Sequence, residues 1–261
     1  MTIPSFRVLG VRVNAVQIPD TIRILEGWIH ERGRSRYVAV TGMHGVSESR
    51  QDPGFHSALD AADLVVPDGM PLVWLGRLRG FRTLKRRVYG PELMETFCRQ
   101  TGAKYRHFFY GGAPGVADRL AKVERERYGI RVAGTYCPPF RPLTRDEEDE
   151  VQSIIDAAAP DLLWIGLSTP KQETWMHERQ GRIHVPVMLG VGAAFDLNTG
   201  RLKQAPVWMR ENGLEWLFRL LAEPRRLWRR YLISGSGFVW NVLLEVLGMR
   251  TFEIGPNSQE Q

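Results

Sequence analysis

Apolar runs too short to be helices recur along this chain, and nearly all of them close in glycine, proline or a polar turn. They fall at residues 37–41, 64–66, 107–111, 130–136, 161–166 and 185–190. Runs of this length, rich in β-branched and aromatic side chains, read as strands buried on both faces, the habit of a parallel sheet. Amphipathic segments lie between them. Residues 20–32 place Ile22, Leu25, Trp28 and Ile29 on one face before Gly33. Helices are also expected over 53–62, 71–78, from Gly115 to Tyr128, and from Thr144 to Ala158, where Thr144 and Glu147 have capping-box spacing. Around Gly10, alternation over 6–16 predicts a short hairpin or edge pair. The expectation is an α/β fold, a Rossmann-like, mostly parallel sheet flanked by helices.

The turns after the strands carry the chemistry, because ligands of open α/β sheets bind outside the carboxyl ends of the strands. Leu64, Val65 and Val66 run into Pro67, so Asp68 sits just past such an end. Gly69 leaves a ligand room there, and Pro71 suits the first turn of a helix. A carboxylate so placed is a candidate general base; the alternative is an Asp68 that merely caps the following helix. Thr41 and His44 present a hydroxyl and an imidazole in the glycine-flanked turn 41–45. Gly111 and Gly112 open a helix and read either as a phosphate seat or as an ordinary turn. Lys171 and Gln172 follow Pro170, where a lysine meets phosphate and an amide meets sugar hydroxyls. Gly190 and Asp196 bracket a small-residue turn after the last strand. In the basic segment Arg77, Arg79, Arg82, Lys85, Arg86 and Arg87, most charges read as a solvated face, but one guanidinium near the strand ends would hold a diphosphate.

Composition narrows the classes. The 261 residues, 43% hydrophobic and 25% charged, are enough for one large core and exclude a disordered chain. A net charge of +6 points to an anionic partner: a nucleotide sugar, a phospholipid surface or nucleic acid. Cys98 and Cys137 form no C-x-x-C, so neither a disulfide framework nor a zinc site is expected, and a reducing cytoplasm fits. Residues 1–10 lack a basic region followed by a long apolar core, so no signal peptide is expected.

From residue 201 the character changes, giving an expected α/β core over 1–200 and a helical, membrane-targeting appendage over 201–261. Trp208, Trp216, Trp228 and Trp240 crowd the tail, with Arg219, Arg225, Arg226, Arg229 and Arg230. On a helix from Pro224, Arg226, Arg229 and Arg230 share a face. The apolar run 231–247 is interrupted by Ser234, Gly235, Ser236, Gly237 and Glu245 and falls short of the roughly 20 clean residues of a membrane span. It reads as a segment lying in the membrane interface; the alternative is a helical pair packed on the core.

Together these residues resemble the WecG/TagA/CpsF glycosyltransferases of bacterial cell-surface polysaccharide synthesis. The matching pieces are Pro67-Asp68-Gly69, Arg87-Val88-x-Gly90, Phe109-Tyr110-Gly111-Gly112 with Pro114-Gly115, Pro170-Lys171-Gln172-Glu173, Gly190-Val191-Gly192 with Phe195-Asp196, Ala205-Pro206, Glu215-Trp216-Leu217 with Arg219, and Glu223-Pro224-x-Arg226. They span roughly residues 35–231. Two positions depart from the family's habit: Gly42 and Met43 stand where an Asn is frequent, and Gln204 precedes Ala205-Pro206 in place of Arg.

The resemblance implies transfer of an N-acetylhexosamine, N-acetylmannosamine or its uronic acid, from a UDP-sugar to a polyprenyl-diphosphate-linked saccharide. It implies Asp68 as base and Arg87 as the phosphate-neutralising arginine. Gln172 would lie in the sugar pocket and Asp196 in the nucleotide pocket, with Thr41, His44, Gly69, Gly112, Lys171 and Gly190 also binding substrate. Arg219, Arg226, Arg229 and Arg230 would meet the membrane and the acceptor's diphosphate. The chemistry would be inverting: Asp68 takes the acceptor hydroxyl's proton as that oxygen attacks the anomeric carbon, and UDP leaves. No D-x-D follows a strand, and Asp146-Glu147-Glu148-Asp149 belongs to an acidic exposed helix. The leaving group is therefore assigned to Arg87, Lys171 or helix N-termini, with no metal and no cofactor.

A peripheral protein on the cytoplasmic face of the bacterial plasma membrane is expected, with no nucleic-acid partner and self-association left open. Two other readings differ in class. A dehydrogenase-like nucleotide binder lacks the full G-x-G-x-x-G and a ribose-binding acid at the expected offset. A membrane or nucleic-acid-binding scaffold would rest on the basic tail alone.

Overall fold

The computed structural model describes residues 3–252, the side chains of Arg226 and Arg230 excepted. Its strands are β1 (Ser5–Val8), β2 (Val11–Asn14), β3 (Arg36–Thr41), β4 (Leu64–Pro67), β5 (Arg106–Gly111), β6 (Arg131–Tyr136), β7 (Leu162–Gly166) and β8 (Val187–Gly190). The chain divides into two compact units. One comprises Met1–Gln17, Thr41–Val88 and Gln204–Gln261; the other comprises Ile18–Val40 and Tyr89–Lys203.

The second unit is a doubly covered parallel sheet in the order β3-β8-β7-β5-β6. Strands β3, β8, β7 and β5 are apolar on both sides because both faces are packed, whereas the edge strand β6, expected to be equally buried, is only half-buried because one of its sides has no neighbouring strand. His107 and Trp164 stack on each other, and Phe97 of the helix Gly90–Thr101 meets both edge-on. On the opposite face Tyr110 stacks at 4.5 Å on Trp175 of the helix Lys171–Arg179. Trp164, Tyr37, Tyr110, Phe108, Phe109 and Phe195 are among the largest fully buried side chains. This is the α/β, parallel-sheet architecture that the run pattern predicts.

The strand order creates a switch point. From β5 the chain moves outward to β6, then returns to place β7 on the other flank of β5 and continues to β8. The carboxyl ends of β5 and β7 therefore lie where the winding reverses, which is where such sheets leave a crevice.

One buried acid in this unit has no evident share in binding. Glu124, on the helix Val116–Tyr128, is 1% exposed among Cys98 and Asn198, and its Oε2 has no hydrogen-bond partner among the described residues. Burial pushes its carboxyl from the ordinary 4.5 up to about 7, against smaller downward pulls from Cys98, Arg127 and Asn198. Between those two values the folded chain keeps a proton that the unfolded chain has released, so stability falls as pH rises through that window. Glu124→Gln, a neutral isostere, is expected to flatten this slope and raise the melting temperature at pH 8 by a few degrees. Thermal melts of both proteins from pH 5 to 8 check it; parallel curves would mean that Glu124 is charged in the fold.

The first unit is built around the expected hairpin. β1 and β2 pair antiparallel, Ser5 opposite Asn14 and Val8 opposite Val11. Asn14 Oδ1 accepts the Val65 N–H at 2.8 Å, tying the hairpin to β4. The helices Met43–Ser49, Pro53–Asp60 and Met70–Leu78 complete the segment 41–88. The tail then runs through Val207–Glu211, Glu215–Ala222, Pro224–Trp228, a π-helical stretch Arg229–Ser234, and Gly235–Val246. Its last helix is fastened by Glu245, whose carboxylate accepts from Leu9 N–H at 3.2 Å and from Arg79 at 2.6 Å. Residues from Gln204 onward thus belong to the same compact unit as the hairpin and β4. Among the described residues no helix is long and apolar enough to cross a membrane. Trp208, Trp228, Leu232, Ile233, Val239, Trp240 and Leu243 nevertheless stand exposed along the tail.

Candidate active-site elements

In the first unit the end of β4 is held from two directions. The Asp68 N–H donates to the Thr41 carbonyl at 2.8 Å, and the Val88 N–H donates to the Pro67 carbonyl at 2.8 Å. The second bond places Arg87, one residue earlier, beside the strand end that carries Asp68. Gly69 follows at φ +149°, a conformation that side chains resist, and serves as the N-cap of Met70–Leu78. The helix is therefore capped by a residue without a side chain, and the capping role considered for Asp68 belongs to Gly69's backbone.

Gly42 explains another local feature. Its φ of −111° suits any residue, yet a Cβ there would collide with the Asp68 carbonyl oxygen. Glycine is required because two backbones touch. Thr41 is buried, and its hydroxyl has no partner among the described residues. His44 lies in the first turn of Met43–Ser49, half-buried, its Nδ1 3.9 Å from the Glu48 carboxylate. Arg87 and Glu215 form an ion pair with side chains only 14% and 10% exposed. The neighbouring pair Arg86–Glu211, at 3.1 Å, is exposed.

In the second unit the polar groups gather at the switch point. Gly111 (φ +116°) has no room for a Cβ against the Gly166 backbone, and the Gly112 N–H donates to the Gly166 carbonyl at 3.0 Å. After β7, Ser168 adopts φ +67°, a strained left-handed conformation for a residue with a side chain. Lys171 is exposed at the start of its helix. Gln172 is 2% exposed, packed so closely on Gly190 that a Cβ there would approach its Nε2 to 2.9 Å. That amide and the Thr169 hydroxyl both donate to Glu173 Oε1, at 3.0 and 2.9 Å. Glu173 is 0% exposed, and burial raises its pKa. Asp196, in the short helix Ala194–Asn198, is half-buried and 3.4 Å from Arg201.

The structure thus brings Thr41, Asp68, Gly69 and Arg87 together in one unit, and Gly112, Gln172 and Gly190 at the strand ends of the other. In the tail, Arg219 is half-buried, and Arg229 is exposed with its guanidinium over the Trp228 ring. The side chains of Arg226 and Arg230 lie outside the described set. Residue type and spacing assign no role to two buried acids, Glu173 and Glu215. The first is conspicuous beside Gln172; the second has no local signal, since its partner lies 128 residues away. Among the described residues no three His, Cys, Asp or Glu side chains converge as metal ligands.

A model of the glycosyl transferase WecG/TagA/CpsF family matches residues 6–251. Two curated relatives carry the name N-acetylglucosaminyldiphosphoundecaprenol N-acetyl-beta-D-mannosaminyltransferase. One, from Bacillus spizizenii, is 34% identical over 218 residues, covering 83% of this chain and 82% of the relative. The other, from Bacillus subtilis, is 28% identical over 204 residues, covering 77% of each.

Proposed function

The chain belongs to the WecG/TagA/CpsF glycosyltransferase family, and from that premise we propose that it transfers N-acetylmannosamine from UDP to N-acetylglucosaminyl-diphospho-undecaprenol. The observation that supports this reading is the pair of backbone bonds at the end of β4, which hold at one strand end the main chains that carry a carboxylate, Asp68, and, one residue before Val88, a guanidinium, Arg87. An acceptor hydroxyl and a departing diphosphate need those two groups.

In the proposed reaction Asp68 accepts the proton of the acceptor hydroxyl as its oxygen forms the new bond to the anomeric carbon. The bond from that carbon to UDP breaks on the opposite face, its electron pair leaves with the diphosphate, and the configuration inverts. Arg87 opposes the charge that develops on the leaving oxygen, a contribution available without reorganisation because its side chain is already fixed. In the second unit, the Gly111–Gly112 backbone and Lys171 are suited to phosphate, Asp196 to the nucleotide, and the Gly190 turn, shaped from beneath by Gln172, to the sugar. Thr41 and His44 are assigned to the acceptor side. The exposed tryptophans with Arg219, Arg226, Arg229 and Arg230 suit an anionic membrane surface, where a polyprenyl lipid resides. The protein would act there peripherally, on the cytoplasmic face.

The test is UDP release from a panel of UDP-N-acetylhexosamines, with a synthetic prenyl-diphospho-N-acetylglucosamine acceptor and EDTA present. Release with the manno-configured donor, dependent on acceptor and indifferent to EDTA, is the expected result. Release independent of acceptor, or with no donor in the panel, would overturn the assignment.

A further inference from the structure

We propose that Glu215 is a positioning residue for Arg87, so that the tail helix Glu215–Ala222 sets the guanidinium that meets the diphosphate. The proposal rests on the reading of Arg87 given above. Arginine has a long side chain with several freely rotating bonds, and a lone guanidinium would sample many orientations. Here both of its ends are fixed. The main chain is held by the Val88–Pro67 bond at the end of β4, and Nη2 donates to Glu215 Oε2.

Glu215 is well suited to hold it. It occupies the first turn of its helix, where unpaired N–H groups favour a carboxylate, and no side chain caps that helix. Both partners are largely shielded from water, so their attraction is screened little and the geometry is specific. The adjacent pair provides an internal contrast. Arg86 and Glu211 join the same two stretches of chain, but at 60% and 52% exposure, where an ion pair orients little. Two bridges between the same segments therefore differ in burial, and the buried one ends on the residue just before the Val88–Pro67 bond.

The experiment is a double-mutant cycle on the full chain with the UDP-release assay. Glu215→Gln is expected to lower kcat about tenfold to a hundredfold with little change in donor KM, because misplacing a catalytic group costs turnover more than binding. Glu215→Asp, which keeps the charge, should recover part of the loss, and Glu211→Gln should match the parent. In an Arg87→Ala background Glu215→Gln should have no further effect on kcat, since it acts through that guanidinium. If Glu215→Gln lowers the melting temperature but leaves kcat of the folded protein intact, or if its effect adds in full to that of Arg87→Ala, Glu215 only pins the tail and the proposal fails. If Arg87→Ala itself keeps parental kcat, the role of Arg87 is what fails, and the positioning proposal goes with it.

Discussion

Replacing Asp68 with Asn is expected to cut acceptor-dependent transfer by about 10²–10⁴-fold, the range in which a positioned general base contributes. Asparagine matches the shape of aspartate but cannot take the acceptor's proton. The fold should tolerate it. The residue's main chain is held by Thr41, the following helix takes its cap from Gly69, and nothing in either arrangement needs a carboxylate. UDP release and a thermal melt on the same preparation separate the two effects. Parental turnover by the variant would remove Asp68 from the reaction and leave it as a turn residue.

The second large effect is expected from a residue with no side chain. Gly42→Ala forces a methyl group into the Asp68 carbonyl oxygen, and backbone atoms cannot swing aside as a flexible side chain would. The end of β4 must move, displacing Asp68 from whatever it serves. Turnover should fall about 100-fold, the cost of shifting a catalytic group by an ångström or so. Stability should fall by about 1–3 kcal/mol, the usual penalty of overpacking. Gly27 is the control. It lies within the helix Ile18–Glu31 with nothing near a built Cβ, so Gly27→Ala should leave turnover alone and stabilise by about 0.5–1 kcal/mol. If the two alanine variants behave alike, the close approach at Gly42 is not what fixes Asp68.

The strands were the most legible part of the sequence, because burial on both faces leaves a continuous apolar signature that little else in a soluble chain mimics. The helices Ile18–Glu31 and Val116–Tyr128 followed from their periodicity, and Arg145–Ala158 from its capping box, which the structure forms in full between Thr144 and Glu147. Among the helices not anticipated, two show why. Residues 41–45 read as a turn because Gly42 and Gly45 look like breakers, yet a helix begins at Met43; Gly42 serves a backbone contact instead. The helix Gly90–Thr101 lay hidden behind the basic segment, although Pro91 near its start, Leu93, Met94, Phe97 and Cys98 on its buried face, and Gly102 after it were all visible signals. Likewise Ser234 to Gly237 read as an interruption but lies within helical structure that runs on to Val246.

At the candidate site the sequence indicated which side chains end up beside strand ends, because position after a strand is a local property. It could not indicate Asn14 with Val65, Arg79 with Glu245, or Arg87 with Glu215. Those pairs are decided by how distant segments pack, and neither partner carries a mark of the other. Gln172 illustrates the limit within one turn. Its type and place suggested a group that touches sugar, but gave no sign that its amide nitrogen would pack on Gly190 and donate to Glu173.

The fastening of Glu245 to Leu9 and Arg79 has a consequence for how the protein is made. Chains leave the ribosome from the amino end, and compact units fold as their last segment emerges. The unit formed by Ile18–Val40 and Tyr89–Lys203 has all its strands once residue 203 is out. The unit that carries Asp68 and Arg87 must wait for the final helix, with its hairpin and β4 already synthesised but their partners still to come. A nascent chain stalled near residue 200 would hold every strand of the parallel sheet but lack Glu215, the partner of Arg87, and Glu245, the partner of Leu9 and Arg79.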